Sequence, residues 1–393
     1  MRILMLNNEF PPLGGGMGTV NQALLRHLSQ AEDLEIDLIT SSAGPEAEEI
    51  RFSERIRILK VPVGIRNIHH FTMGELMNYA LRAFPLARAL HAARPYHLGF
   101  AWSTVPAGWV AWRLRRTMNL RYLIRVTGPD IPGFEERYRY VYPFLRSLIR
   151  FIWRRAEVVV AKCAEEEAMI RSIDGRAKIL RVPNGVDLSC FHPPAPLLPD
   201  GPLRILCVAR LIRRKGQDHL LRALQSLRLE GLDATLDLIG RGDEEESYRK
   251  LARQLRVEGQ VRFLGYVPRE EMPNHYRSAH VFVLPSYNEG MSVATLEAMA
   301  AGLPLILTRT GGTGEMVREK VNGFLFDRGD VASLTHHLRR LARDRELVKR
   351  MGKASLEMAP SFSWEKVMAE YQKLFEGLRG RRHSPIPRVD PAF

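Results

Sequence analysis

The sequence predicts an α/β protein made of two doubly wound domains, each a parallel sheet with helices on both faces. Three observations lead there. Short apolar runs alternate with amphipathic segments, the pattern of strands buried between helix layers. That series is broken once, by a proline-rich stretch, and then resumes. The length, 393 residues of which 45% are hydrophobic, suits about two packed cores.

In the first series, Ile3–Leu6, Ile36–Ile39, Ile56–Val61, Leu98–Trp102, Tyr122–Val126, Val158–Ala161 and Ile179–Val182 read as strands. A glycine loop, Pro11-Pro12-Leu13-Gly14-Gly15-Gly16-Met17-Gly18, follows the first of them and precedes a helix predicted over Thr19–Leu28. Glycines there let a backbone approach a diphosphate or sugar, and a helix start supplies N–H donors, so Gly15 and Gly16 are candidate binding residues for such a ligand. The dinucleotide fingerprint G-x-G-x-x-G fails at its third glycine, because Thr19 stands where it should be.

The break comes at residues 191–202, from Phe191 to Pro202, which hold five prolines and a glycine. It divides a first domain, 1–190, from a second, 203–362. In the second series, strands are expected at Ile205–Val208, Thr235–Ile239, Val261–Leu264, Val281–Leu284 and Leu305–Leu307. A final helix, roughly Trp364–Leu378, lies within 363–379, and the polar, proline-rich residues 380–393 read as a disordered tail. Two such domains facing a central cleft would bind ligand outside the carboxyl ends of their strands.

Glu289 and Glu297 stand eight residues apart in Tyr287-Asn-Glu-Gly-Met-Ser-Val-Ala-Thr-Leu-Glu-Ala-Met-Ala-Ala-Gly-Leu-Pro304. The first lies in the loop after a buried strand and the second inside the helix predicted over Ser292–Ala301. Backbone donors of Gly290, Met291 and Ser292 at the helix start would favour phosphate, while the two carboxylates accept hydrogen bonds from hydroxyls. Glu297 sits among Ala294, Ala298, Met299 and Ala300, where an unpartnered carboxylate would be costly. Arg210 and Lys215 follow the first strand of the second domain and would bring two cations to an anionic ligand such as a diphosphate. Arg213 and Arg214, between them, read as surface residues.

The Glu-x7-Glu segment resembles the signature of the retaining GT-B glycosyltransferases, most closely family 4. The glycine loop is similar to that family's N-terminal one. Val182-Pro-Asn-Gly-Val-Asp187 with Phe191 and Pro193 resembles its domain-junction motif, Ala209-Arg-Leu211 with Lys215-Gly216 its phosphate-binding pair, and Gly311-Gly-Thr-Gly-Glu315 a further element. Five ordered motifs span residues 11 to 315. The resemblance implies a GT-B fold, a terminal helix that crosses back to the first domain, and transfer of a hexose-type sugar from a nucleotide diphosphate sugar. It assigns Glu289 to the hydroxyls of the donor sugar and Glu297 to the ribose, with Thr313 and Glu315 near the same region. It also places Asp130, in Arg125-Val-Thr-Gly-Pro-Asp130, in register with a substrate-orienting acid. Many members carry His immediately before that glycine; this chain has Thr127, so the sugar type stays open.

On this reading Glu289, Asp130, Arg210 and Lys215 form the catalytic set, with a hydroxyl of a glycan or lipid-linked molecule as acceptor. No cofactor is expected, and no metal either, since Asp-x-Asp is absent. Another GT-B activity, such as an epimerase or an inverting transferase, and a non-catalytic nucleotide-sugar-binding protein are the alternatives; a phosphorylase lacks its pyridoxal-binding lysine motif. The donor base remains undetermined between uridine and guanosine.

The charge balance suggests one more partner. The chain carries a net +14, and Arg113 to Arg155 hold eleven arginines and no lysine against Asp130, Glu135 and Glu136. Tyr138, Tyr140, Tyr142, Phe144, Phe151 and Trp153 interleave with arginines over residues 137–155, a cationic aromatic stretch suited to an anionic membrane surface. No nucleic-acid module is evident, so nucleic acid is not an expected partner. Three dispersed cysteines, no secretory signal pattern and no long apolar stretch predict a cytoplasmic protein, peripheral to the membrane at most.

Overall fold

A computed structural model describes residues 1–67, 71–130, 140–193 and 201–379. The chain divides into two compact units, Met1–Pro183 together with the chain from Val367, and Asn184–Lys366. The division falls after Pro183, and Phe191 is buried inside the second unit. Most of the proline-rich segment, the tail from residue 380 and the start of the basic aromatic stretch lie outside the described residues.

In the first unit the strands are β1 (Arg2–Leu6), β2 (Glu35–Ser42), β3 (Glu48–Arg51), β4 (Ile56–Pro62), β5 (Leu98–Trp102), β6 (Tyr122–Arg125), β7 (Val159–Ala161) and β8 (Ile179–Arg181). They lie in the order β3-β4-β2-β1-β5-β6-β7-β8. Every pairing is parallel except β3 with β4. β1, β5 and β6 are buried along their whole length, which explains why they read as unbroken apolar runs rather than alternating ones. The antiparallel edge strand β3, Glu-Glu-Ile-Arg, is exposed throughout, and its charged residues blunt the sheet edge.

The second unit has β9 (Leu203–Val208), β10 (Ala234–Ile239), β11 (Val261–Gly265), β12 (Val281–Leu284), β13 (Leu305–Thr308) and β14 (Gly323–Phe326), in the all-parallel order β11-β10-β9-β12-β13-β14. In each unit the order reverses once, between β1 and β5 in the first and between β9 and β12 in the second. Open α/β sheets bind ligands outside the carboxyl ends of their strands at such a reversal, where successive loops leave toward opposite faces. The glycine loop follows β1, and Lys215 and Glu289 follow β9 and β12.

The returning chain is tied to the first unit by a buried arginine. Arg125, at the end of β6, donates to the Tyr371 hydroxyl at 2.6 Å and to the Val182 carbonyl at 3.1 Å, with its guanidinium 5.4 Å from the centre of the Trp102 ring.

Candidate active site

The second unit builds its site from two loops held together by backbone. After β9 the chain makes a short 3-10 turn, Arg213–Lys215, and leaves it through Gly216 at φ +67°. A Cβ on Gly216 would lie 2.2 Å from the Pro285 carbonyl oxygen. Only glycine combines that left-handed φ with so close an approach. The Tyr287 N–H donates to the Arg214 carbonyl at 2.9 Å, so the turn after β9 and the loop after β12 are joined directly.

The consequence is the contact of Lys215 with Glu289. The Lys215 ammonium donates to Glu289 Oε1, which also accepts from the Ser286 hydroxyl at 2.9 Å. Both side chains are largely buried. Burial on its own would push the Glu289 carboxyl up, but the Lys215 charge and hydrogen bond, the Arg214 charge and Ser286 outweigh it and hold the carboxyl below its ordinary value. Arg214 is half-buried and acts electrostatically on Glu289, which corrects its reading as a surface residue; Arg213 is exposed. Arg210, half-buried, sits two residues past β9, and its carbonyl accepts from the Gln217 side chain at 2.9 Å.

Gly290, Met291 and Ser292 lead into the helix Val293–Ala300, one residue shorter at each end than the sequence reading because Ser292 is its N-cap, accepting from the Thr295 N–H at 3.3 Å. Asn184 donates its side-chain amide to the Met291 carbonyl at 2.8 Å, and the Gly312 N–H donates to the Gly290 carbonyl at 2.7 Å. A Cβ on Gly311 would lie 1.9 Å from the Glu289 carbonyl oxygen, so this glycine lets the loop after β13 cross the loop after β12. Thr313 and Glu315 fall in the short helix that this crossing begins, Thr313–Met316.

Glu297 has different partners. Tyr276 donates its hydroxyl to Oε2 at 2.8 Å, and Arg269 donates to Oε1 at 3.3 Å. Burial pushes the Glu297 carboxyl above its ordinary range, and Arg269 and Tyr276 offset this only in part. Tyr276 and Arg269 escaped the sequence reading. The first is one apolar position in the six-residue helix Met272–Arg277, and the second is one of many charged loop residues.

In the first unit the glycine loop meets an acid that the sequence reading also missed. Glu9 Oε2 accepts the Gly15 N–H at 3.1 Å, and a Cβ on Gly14, at φ +87°, would lie 2.3 Å from that same oxygen. The helix begins at Gly16 rather than Thr19, with Gly15 as its N-cap. Asp130 is buried, and four donors engage it. Thr104 N–H at 2.7 Å and Val105 N–H at 3.4 Å reach Oδ1, and the Thr127 N–H at 2.9 Å and hydroxyl at 3.0 Å reach Oδ2. Burial nonetheless raises its carboxyl to about 6. Asp130 therefore locks the loop after β6 to the loop after β5.

The arginines of the helix Tyr142–Trp153 and its cap are engaged within the first unit. Arg146 and Arg150 donate to the Ser172 and Ile173 carbonyls at 3.0 and 2.9 Å, and Arg154 pairs with Asp174 at 3.0 Å. Among the described residues, no group of three or more His, Cys, Asp or Glu side chains could hold a metal, and no helix is long and apolar enough to cross a membrane.

Two protein-family models match this chain, a glycosyl transferase 4-like domain over residues 15–185 and the group 1 glycosyl transferases over residues 191–358. Between them they span most of it. The chain belongs to the family 4 GT-B glycosyltransferases, enzymes that use nucleotide sugars. It is 26% identical, over 97% of its own length and all of the relative's, to a GDP-mannose-dependent alpha-(1-6)-phosphatidylinositol monomannoside mannosyltransferase of Mycolicibacterium smegmatis. It is 27% identical to a D-inositol 3-phosphate glycosyltransferase of Thermobifida fusca, covering 89% of this chain and 86% of that one. Solved structures share the fold. A sucrose-phosphate synthase of Thermosynechococcus elongatus superposes with a TM-score of 0.86 at 24% identity, covering 96% of this chain and 99% of the other. The Anabaena protein HepE in complex with UDP-glucose superposes with a TM-score of 0.75 at 19% identity, covering 97% and 100%.

Proposed function

We propose that this glycosyltransferase retains anomeric configuration and moves a hexose-type sugar from a nucleotide diphosphate sugar to a hydroxyl of a glycan or lipid-linked acceptor. The observation that carries the reading is the Lys215–Glu289 contact at the strand-order reversal of the second unit, with Arg210 in the same loop. A cation and an acceptor of hydroxyl hydrogen bonds, side by side, suit a molecule whose diphosphate and sugar are adjacent. On donor binding the diphosphate takes Lys215 and Arg210, the sugar hydroxyls take Glu289, and the ribose takes Glu297. The backbone of residues 290–292 supplies further donors to phosphate. Asp130 acts through its loop, because its two oxygens already accept four hydrogen bonds.

The route we favour is front-face. The bond from the anomeric carbon to the phosphate oxygen breaks, its electron pair leaves with the phosphate, and a phosphate oxygen takes the acceptor hydroxyl's proton as the new carbon–oxygen bond forms on the same face. Lys215 and Arg210 stabilise the departing charge. NMR of the product's anomeric proton tests this, since an inverted centre would refute retention. A mannosyltransferase acting on a phosphatidylinositol mannoside and a glycosyltransferase of inositol phosphate, among the relatives, support an acceptor hydroxyl carried on a phosphorylated polyol or its lipid.

A lipid-linked acceptor would place the enzyme at the cytoplasmic face of a membrane. With Arg146, Arg150 and Arg154 engaged internally, a better contact surface is the outer face of the helix Met73–Ala93. Met73, Met77 and Leu81, four residues apart, are 44%, 64% and 60% exposed, Arg82 and Arg88 flank them, and the helix's one acid, Glu75, is buried. Co-sedimentation with vesicles rich in phosphatidylglycerol, lost in Met77→Asp/Leu81→Asp, is the expected result; equal sedimentation of both proteins would refute this surface.

A further inference from the structure

We infer that Tyr276 is a positioning residue for donor specificity, which holds Glu297 in the orientation that receives the vicinal hydroxyls of a ribose, and that Arg269 is the displaceable partner on the carboxylate's other oxygen. The inference rests on the reading of Glu297 as the ribose acceptor and adds what sets its geometry.

The two bonds to Glu297 are unlike. Tyr276 is fully buried, and its hydroxyl reaches Oε2 at 2.8 Å. Its ring is clamped edge-on against Phe191, at 5.5 Å between ring centres, and tilted against Phe282 of β12 at 6.2 Å. Burial pushes the phenol well above its ordinary value, so it stays a donor throughout the working pH range. A phenol fixed in this way leaves Oε2 one direction in which to lie. The aromatic anchor comes from three separate parts of the second unit: the start of the proline-rich segment, the helix after β11, and β12 itself. Of these only β12 lies next to the Glu-x7-Glu segment in sequence.

Arg269 is the looser partner. Its side chain is 34% exposed, and its single bond to Oε1 is 3.3 Å long, towards the weak end of hydrogen-bond lengths. Its guanidinium lies 5.9 Å from the centre of the Phe191 ring, a contact it can keep while releasing Oε1. A carboxylate with one bond on each oxygen still has lone pairs for a diol, which offers two O–H donors at matching spacing. Tyr276 thus preserves the orientation while Arg269 offsets the buried charge until the diol arrives. An ion pair kept only for stability would need Arg269 more than the phenol; the geometry has the opposite weighting.

The test is calorimetric titration of the full-length protein with whichever of UDP or GDP it binds, and with the 2′-deoxy form of the same nucleotide. The readout is the ratio of the two affinities. Wild type should prefer the ribonucleotide by about tenfold or more, the cost of leaving a buried acceptor without its donor. Glu297→Gln should shrink that preference. Tyr276→Phe keeps the ring and removes one oxygen; it should shrink the ratio nearly as far and raise the donor KM while kcat changes less. Arg269→Ala should keep most of the ratio, and the loss of affinity on the acid side should move to higher pH, because Glu297 then binds its proton more tightly. If wild type shows no ribose preference, the assignment of Glu297 itself is wrong. If Glu297→Gln loses the preference while a folded Tyr276→Phe retains it, Glu297 stands and the positioning role of Tyr276 is refuted. Arg269→Ala losing the ratio as completely as Glu297→Gln would overturn the division of labour, whether or not Tyr276→Phe folds.

Discussion

Glu289 and Glu297 are eight residues apart in one segment, yet their surroundings drive them in opposite directions. Glu289 shares an oxygen with a lysine and a serine and is held more acidic than usual; Glu297, under a buried phenol and a partly exposed arginine, is held less acidic. Burial raises both. The difference is the distance and fixity of the nearest cation: a lysine in direct contact keeps Glu289 ionised, while a longer bond from a partly exposed arginine leaves Glu297 the more readily protonated of the two.

Breaking the first region should give the largest effect. Glu289→Ala is expected to lower transfer by about a thousandfold, comparable to removing a group that acts only in the transition state, with the fold intact by circular dichroism. Lys215→Ala should cost as much activity and also destabilise the protein by about 3 kcal/mol, since it strands a buried carboxylate. The double variant should recover part of that stability, and urea melts of the four proteins would reveal the coupling.

Next in size is Asp130→Asn. It replaces an acceptor that takes four donors with one that takes fewer, so the loop after β6 should loosen at a cost of about 1–3 kcal/mol and activity should fall through the loop's displacement. Thermal melting with and without nucleotide checks both.

The pH dependence sharpens the comparison with a smaller signal. The Glu289 carboxyl is lowered on folding, so it contributes stability that is present above the ordinary carboxylate value and lost as pH falls through the folded one. Glu289→Gln should therefore flatten the acid loss of stability. Glu297 is raised, so its ionisation subtracts stability as pH rises from the unfolded value through the folded one, and Glu297→Gln should relieve that loss. Melts between pH 3 and 8 should show slopes of opposite sign for the two variants relative to wild type, and slopes of the same sign would contradict the contrast.

Smallest is Gly14→Ala. Its left-handed φ costs about 1–2 kcal/mol, but the nearest obstacle is the end of the flexible Glu9 side chain, which can swing away. A modest drop in melting temperature with activity largely kept is the expected outcome.

What the sequence made legible follows the same physics. Buried parallel strands are unbroken apolar runs, so β1, β5, β9 and β12 stood out. β3 did not, because an exposed edge strand of Glu-Glu-Ile-Arg has no apolar period, and β14 opens on a glycine with four residues in all. Lys215, Glu289 and the helical Glu297 could be singled out from their spacing. Their partners could not. Tyr276 and Arg269 approach Glu297 from 21 and 28 positions away, and Glu9 reaches Gly15 across the glycine loop, contacts that depend on chain folding rather than on any local period.

The most direct test of the Lys215–Glu289 site is the melting temperature of wild type and Lys215→Ala across a concentration series of UDP and of GDP. One nucleotide should raise the wild-type melting temperature steadily with concentration, and a folded Lys215→Ala should lose most of that rise. An equal rise in both proteins would show that nucleotide diphosphate binds elsewhere and would contradict the site.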